Sequence, residues 1–200
     1  KQWACRVRSN TQIASLIKEL VLDLPKGELI EFRAGGYIQA TCPAYRIKYS
    51  EIDIDAAFRD DWDRFDLRRL ETGTPSQTTR AYSMANPPEE RDAITLNVRA
   101  AIPPPDAPDD ALPGVVSSYL FSRKPGDEVL VSGPYGHFSA TNTNAEMVFV
   151  GGGVRLGIME PTLDRDVFWD MGQDWVQLNL DHYCSLFEAC CKILVSATSS

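Results

Sequence analysis

Apolar and polar residues alternate through most of the first two-thirds of the chain, and a period of two marks a half-buried strand. Trp3, Cys5 and Val7 set one such run. Leu20, Leu22 and Leu24 set another, which Pro25-Lys26-Gly27 closes with turn residues. Phe32 leads through Ala34-Gly35-Gly36 into an alternating stretch over residues 37–42, and Tyr45, Ile47 and Tyr49 continue the pattern. Strand character returns over residues 79–84 and 93–99, where Ile94, Leu96 and Val98 share one face, and again over 127–131 and 147–150. Asn86-Pro87-Pro88-Glu89-Glu90 predicts a turn or short loop. Residues 102–114 form a Pro- and Asp-rich loop, and residues 115–122 predict a short helix entered through Gly114. Short strands punctuated by Gly and Pro around one short helix predict a mainly β fold, a small antiparallel barrel.

The alternation breaks twice. Residues 51–66 are acidic and predict a solvated insertion carrying a short helix, with no Gly-punctuated oxygen spacing for calcium. In the tail, Trp175, Leu178, Tyr183, Leu186, Phe187, Cys190 and Leu194 recur at near-helical spacing. About fifty residues cannot build a complete doubly wound sheet. Residues 146–200 are therefore expected to be an incomplete α/β or helical tail: a covering helix, a partner-binding segment or the product of a reading-frame change.

Composition narrows the function classes. A formal net charge of -8 over 200 residues argues against nucleic acid as a partner. The five cysteines, Cys5, Cys42, Cys184, Cys190 and Cys191, show neither C-x-x-C nor zinc spacing, so no metal site is expected and free, mostly buried thiols are. No apolar run reaches the roughly 18 residues of a spanning helix, and no signal-peptide pattern follows Lys1. The chain is expected to be a soluble piece of something longer.

The segment that carries chemistry is Arg80-Ala81-Tyr82-Ser83-Met84-Ala85-Asn86. Two residues apart on a strand, Arg80 and Tyr82 share a face, while Ser83 turns to the other and keeps its amide available. An Arg fork pairs with a pyrophosphate, and a phenol ring lies flat against a tricyclic flavin. Alone, the same residues suit a surface Arg beside a core Tyr. Three further segments follow in order: Leu96-Asn97-Val98-Arg99; Gly114-Val115-Val116-Ser117-Ser118 at a helix start; and Gly133-Pro134-Tyr135-Gly136. Amides and two hydroxyls at the helix start make a phosphate cradle, or alternatively a simple capped helix.

This ordered set resembles the FAD signature of the ferredoxin-NADP+ reductase superfamily. Within it, the chain is similar to the F subunits of Na+-translocating NADH:quinone oxidoreductases. Phe32-Arg33-Ala34-Gly35-Gly36-Tyr37-Ile38-Gln39, the acidic insertion at Asp60-Asp61-Trp62-Asp63, Pro103-Pro104-Pro105 and Met147-Val148-Phe149-Val150-Gly151-Gly152-Gly153 carry that likeness, over roughly residues 1–153. The resemblance implies a Greek-key FAD-binding barrel over residues 1–145 and a remnant or divergent start of an NADH-binding domain over 146–200. By it, Arg80 and Ala81 bind FAD, Tyr82 stacks on the isoalloxazine and Ser83 sits where hydride arrives, these last two as the catalytic pair. Asn97, Val98 and Arg99 contact the ribityl, phosphate or adenine end. Gly114, Val115, Val116, Ser117 and Ser118 hold the pyrophosphate, and Gly151, Gly152 and Gly153 meet NADH.

The implied activity takes hydride from NADH onto FAD and passes electrons toward a [2Fe-2S] centre and quinone, coupled to sodium export. Its partners are NADH and the other subunits of a membrane quinone-reductase complex at the cytoplasmic face of the bacterial inner membrane. A reductase component of a multicomponent oxygenase and a non-catalytic FAD-binding fragment use the same signature. The [2Fe-2S] domain is expected outside this chain, since its cysteines lack plant-type cluster spacing. The likeness fails after Gly153, where Val154-Arg155-Leu156-Gly157-Ile158-Met159 replaces the small residues that open the family's nicotinamide-binding helix. His137, just past the G-P-x-G turn, stands where an acid is expected.

Overall fold

The computed structural model describes residues 1–104, 107–108 and 111–137, together with the backbone of two strands at 148–151 and 193–196. Six strands, β1 (Gln2–Ala14), β2 (Ile17–Asp23), β3 (Tyr37–Cys42), β6 (Thr78–Ser83), β7 (Ala93–Arg99) and β8 (Glu128–Tyr135), form one sheet in the order β6-β3-β8-β1-β2-β7. Every neighbouring pair is antiparallel. Strands β1, β2, β7 and β8 stand in the spatial order 8-1-2-7, the Greek-key return that brings the last strand beside the first.

Alternation in the sequence becomes alternation in burial. Trp3, Cys5 and Val7 of β1 face inward opposite Val131, Val129 and Leu22, and Leu20 pairs with Leu96. Helix α2 (Val115–Phe121) plugs this core with Val116, Tyr119 and Leu120. Its C-terminal carbonyls are capped from β1: Asn10 Nδ2 donates to Leu120, Phe121 and Arg123 at 3.0, 3.3 and 2.8 Å.

The acidic insertion is more than a solvated excursion. It comprises 3-10 turns at Tyr49–Glu51, Ala56–Phe58 and Leu67–Arg69 around helix α1 (Arg59–Arg64). It rises from β4 (Tyr45–Lys48) and returns through β5 (Glu71–Thr74), which pair with each other. Tyr49, Ile52, Ile54, Trp62 and Leu67 bury a second core that Phe121 of α2 completes. Trp62 lies between Tyr49 and Phe121 with centroids 5.6 and 6.0 Å away, and its indole donates to the Ser15 carbonyl at 2.6 Å. Lys18, 6% exposed, donates to the Asp53 carbonyl at 2.9 Å with its ammonium 4.7 Å from the Phe121 ring centroid. Acidic residues coat the outside while apolar ones, at no regular spacing, turn in. Among the described residues the barrel therefore carries two short α-helices.

Two further expectations are refined. Tyr49 leaves the alternating run and enters a 3-10 turn, because its ring is needed against Trp62. Leu194 lies in strand β10 (Ile193–Ser196), antiparallel to β9 (Val148–Gly151), where helical spacing predicted otherwise. Cys5 and Cys42 are buried free thiols, and burial pushes the Cys5 thiol up to about 12. Cys184, Cys190 and Cys191 lie outside the described residues.

Candidate functional site

The two ends of the sheet, β6 and β7, meet at one point and are not laddered together. Just past β6, the Ala85 amide donates to the Thr95 carbonyl at 2.8 Å, and the Thr95 amide donates to Asn86 Oδ1 at 2.9 Å. Beyond that clasp no strand pairing joins them among the described residues. The result is a seam with β6 on one bank and β7 on the other.

Strand parity decides what faces the seam. Backbone groups of alternate residues point to opposite edges. The Met84 amide bonds to Gly36 on the β3 side while that of Ala85 bonds across to β7. Counting back by twos from Ala85, Ser83 and Ala81 turn their backbone edge into the seam. On the other bank Thr95 faces the clasp, so Asn97 and Arg99 do likewise. The Ala100 amide, of opposite parity, bonds back to Leu16.

The side chains sort by the same rule. Arg80 and Tyr82 pair with Ala40 and Ile38, so they lie on the inward face at its edge. Tyr82 is half-buried against the barrel core, and that burial raises its phenol well above the usual range, with Arg80 pulling the other way. Arg80 is exposed, donates to the Thr79 carbonyl at 2.8 Å, and makes no ion pair among the described residues. In a chain of net charge -8, a seam arginine without a carboxylate is available for a phosphate. On the β7 bank, Asn97 lies on the face opposite that of Leu96 and Val98, and its Oδ1 is buried with no hydrogen-bond partner among the described residues, the kind of orphan acceptor that a ligand donor satisfies. Val98 is fully buried in the core and shares Ala100's parity, so its side chain points inward and its backbone edge turns to β2, away from the seam.

Helix α2 packs against β6 and β7 and closes the far end of the site. Gly114 is its N-cap, and a Cβ there would lie 2.7 Å from Ser117 Oγ and 2.9 Å from Ala101 Cβ, so only glycine fits. The insertion hairpin holds the carbonyls around this turn: Thr72 Oγ1 donates to Pro113 at 2.8 Å and the Tyr45 hydroxyl donates to Val115. The amides at the helix start are left for an anion.

One expectation changes here. Ser117 and Ser118 both turn their hydroxyls onto the Gly114 carbonyl, at 3.1 and 2.6 Å. Ser118 is fully buried and also meets the Tyr49 hydroxyl at 2.8 Å. This back-bonding engages both hydroxyl protons locally, so of the groups expected to form a phosphate cradle only the amides remain on offer. Val116 likewise points into the core. Gly151 ends β9, and Gly152 and Gly153 lie outside the described residues. Sequence reasoning missed Tyr45, Thr72 and Asn86, which act through backbone carbonyls and amides and leave no pattern of spacing.

A wide cleft of about 1020 Å³ opens beside the clasp, lined by Phe32, Arg33, Tyr37, Arg91, Tyr135 and His137 among others. It adjoins the seam because Tyr37 pairs with both Ser83 and Tyr135. His137 thus lies at the cleft.

Residues 68–140, which contain both banks of the seam and α2, match the oxidoreductase FAD-binding domain family. The chain carries an oxidoreductase FAD-binding domain. It is 53% identical over 159 residues to the F subunit of the Na(+)-translocating NADH-quinone reductase of Methylococcus capsulatus, covering 80% of this chain and 39% of that one. Identity and coverage are the same for the F subunit of the Klebsiella pneumoniae subsp. pneumoniae enzyme. The chain thus spans about two-fifths of the length of the curated relatives it matches. Among solved structures, the flavohem-like FAD/NAD binding domain of nitric oxide dioxygenase from Vibrio cholerae O1 biovar El Tor aligns with a TM-score of 0.49 at 18% identity. That alignment covers 71% of this chain and 47% of that one.

Proposed function

We propose that this chain is the flavin-holding part of an NADH:quinone oxidoreductase, with residues 1–145 as the FAD domain and 146–200 as a divergent start of an NADH-binding domain. The observation that carries the reading is the unpaired seam between β6 and β7, with the Arg80 guanidinium without a carboxylate on one bank and the buried Asn97 Oδ1 without a donor on the other, among the described residues. Arg80 and the amides of Val115, Val116 and Ser117 would neutralise the FAD diphosphate. Tyr82 would cover the isoalloxazine, and the backbone edges of Ala81 and Ser83 face it from one bank, those of Asn97 and Arg99 from the other. Tyr82, a neutral phenol that burial moves still further from ionisation, would exclude water there and bring no charge.

When bound, FAD accepts a hydride and releases single electrons, and the barrel's part is to position and tune it. In the whole protein, electrons from NADH would pass to a [2Fe-2S] centre and to quinone with sodium export, alongside other subunits at the cytoplasmic face of a membrane. Among the described residues no helix is long and apolar enough to cross one. Gly151, Gly152 and Gly153 would contribute to the NADH side.

Absorption spectra and calorimetric titration with FAD test the site directly. The purified chain is expected to take up FAD with a resolved flavin band. Arg80→Ala is expected to weaken uptake by about tenfold to a hundredfold, the value of a charge-assisted hydrogen bond of roughly 1.5–3 kcal/mol. Tyr82→Ala is expected to weaken it through lost stacking. Folded protein with no FAD uptake sinks the reading.

A further inference from the structure

Asn86 is 3% exposed, and its amide is engaged entirely with backbone. Nδ2 donates to the Glu90 carbonyl at 2.9 Å and to the Ala93 carbonyl at 3.2 Å, while Oδ1 accepts from the Thr95 amide at 2.9 Å. A strand ladder would repeat such bonds along the whole edge and seal β6 to β7. Asn86 supplies a single rung from a side chain, next to the Ala85–Thr95 bond, and leaves the strands apart further along.

We infer that Asn86 is a positioning residue for the flavin: its three hydrogen bonds fix the width of the seam between β6 and β7. It touches neither Arg80 nor Asn97 through these bonds. It sets how far the Ala81–Ser83 edge stands from the Asn97–Arg99 edge, and so whether one flat ring system can bridge both. This inference rests on the FAD reading above.

The chemistry of the clasp admits few substitutes. An amide offers donors and an acceptor on one planar group, and all are needed here. A carboxylate of the same shape keeps the acceptor for Thr95 but presents lone pairs to the Glu90 and Ala93 carbonyls. Once protonated, it regains one donor. The ionisable side chains of the loop that Asn86 closes, Glu89, Glu90, Arg91 and Asp92, are all exposed, and its cation, Arg91, pairs with Glu31 at 3.3 Å.

This gives a test with a pH signature that general destabilisation lacks. FAD is titrated into the whole chain, the wild type and Asn86→Asp and Asn86→Ala variants, between about pH 5 and pH 8, with calorimetry and the flavin band as readouts. The melting temperature of the flavin-free protein is recorded alongside. At pH 8 both variants are expected to lose about tenfold in FAD affinity, the scale of one or two buried hydrogen bonds. As pH falls, Asn86→Asp is expected to recover most of its affinity and the wild-type band shape, and Asn86→Ala is not. Wild-type affinity in Asn86→Asp at pH 8, or a loss that does not return with acid, overturns the inference. If Asn86→Ala does not fold, Asn86→Gln takes its place, with the amide kept on a longer arm and a severalfold loss expected; unchanged affinity there overturns the inference equally. A wild type that takes up no FAD removes the FAD reading itself, and that is seen before any variant is measured.

Discussion

The barrel and the acidic insertion each bury a hydrophobic core, and they differ in how that core is assembled. In the barrel, ladders of backbone bonds put every second side chain inside, so the core repeats along each strand. In the insertion, 3-10 turns and one short helix leave no repeat, and the core is a stack of rings, Tyr49 on Trp62 on Phe121. Phe121 belongs to α2, the helix whose other end forms part of the candidate site. The barrel makes the seam, and the insertion braces the helix that closes it. The difference teaches that a decoration on a common fold can be structural to the site without touching a ligand.

Trp62→Ala tests that coupling most severely. Trp62 is fully buried and its indole bonds to the β1–β2 connection at Ser15. Removing such a ring costs about 3–5 kcal/mol. Because α2 gives Phe121 to the insertion's core and Val116, Tyr119 and Leu120 to the barrel's, calorimetry is expected to show one transition moved downward. Two separate transitions, with the barrel's unmoved, would mean that the insertion folds apart from the barrel.

How much of this is legible in the sequence follows from the same contrast. Strand β7 is read off correctly at residues 93–99 because Ile94, Leu96 and Val98 alternate, and α2 because Gly114 precedes an apolar run. The insertion's core is not legible, since Tyr49, Ile52, Ile54, Trp62 and Leu67 follow no period and sit among carboxylates. Strand β5 escapes for the same reason: Glu71-Thr72-Gly73-Thr74 has no apolar alternation and pairs only with β4. At the site, Arg80, Tyr82 and Asn97 are legible from a motif. Asn86 closes that motif and opens a turn, but its part in the clasp is not legible, because a side chain that replaces a ladder rung has no signature in spacing.

A smaller effect separates the cores by pH. Cys5 is fully buried on β1, and its thiol is raised from 9.0 to about 12 by burial first, then by Asp23 and Glu128. In the unfolded chain the thiol ionises near its ordinary value, so above that point the unfolded state holds fewer protons than the native one. Stability is therefore whole below about pH 9 and declines as pH rises toward 12, by on the order of 1 kcal/mol at pH 10. Denaturant melts at pH 8 and pH 10 check this against Cys5→Ala, in which that part of the slope is expected to vanish. An identical slope in both would place the alkaline loss elsewhere, in the tyrosines that burial also raises.

The mildest change asks whether the brace works through packing or through its hydrogen bond. Tyr49→Phe keeps the ring against Trp62 and deletes the hydroxyl that meets Ser118 Oγ at 2.8 Å. Ser118 still donates to the Gly114 carbonyl, so the substitution leaves no new orphan donor, and the cost should sit at the low end for a buried hydrogen bond, about 0.5 kcal/mol. Chemical denaturation resolves that difference, and FAD titration should show an affinity within about twofold of the wild type. Stacking would then account for most of what the insertion does for α2. A loss of affinity far beyond the loss of stability would shift that role to the Tyr49–Ser118 bond, making the insertion's influence on the helix start a matter of one proton rather than three rings.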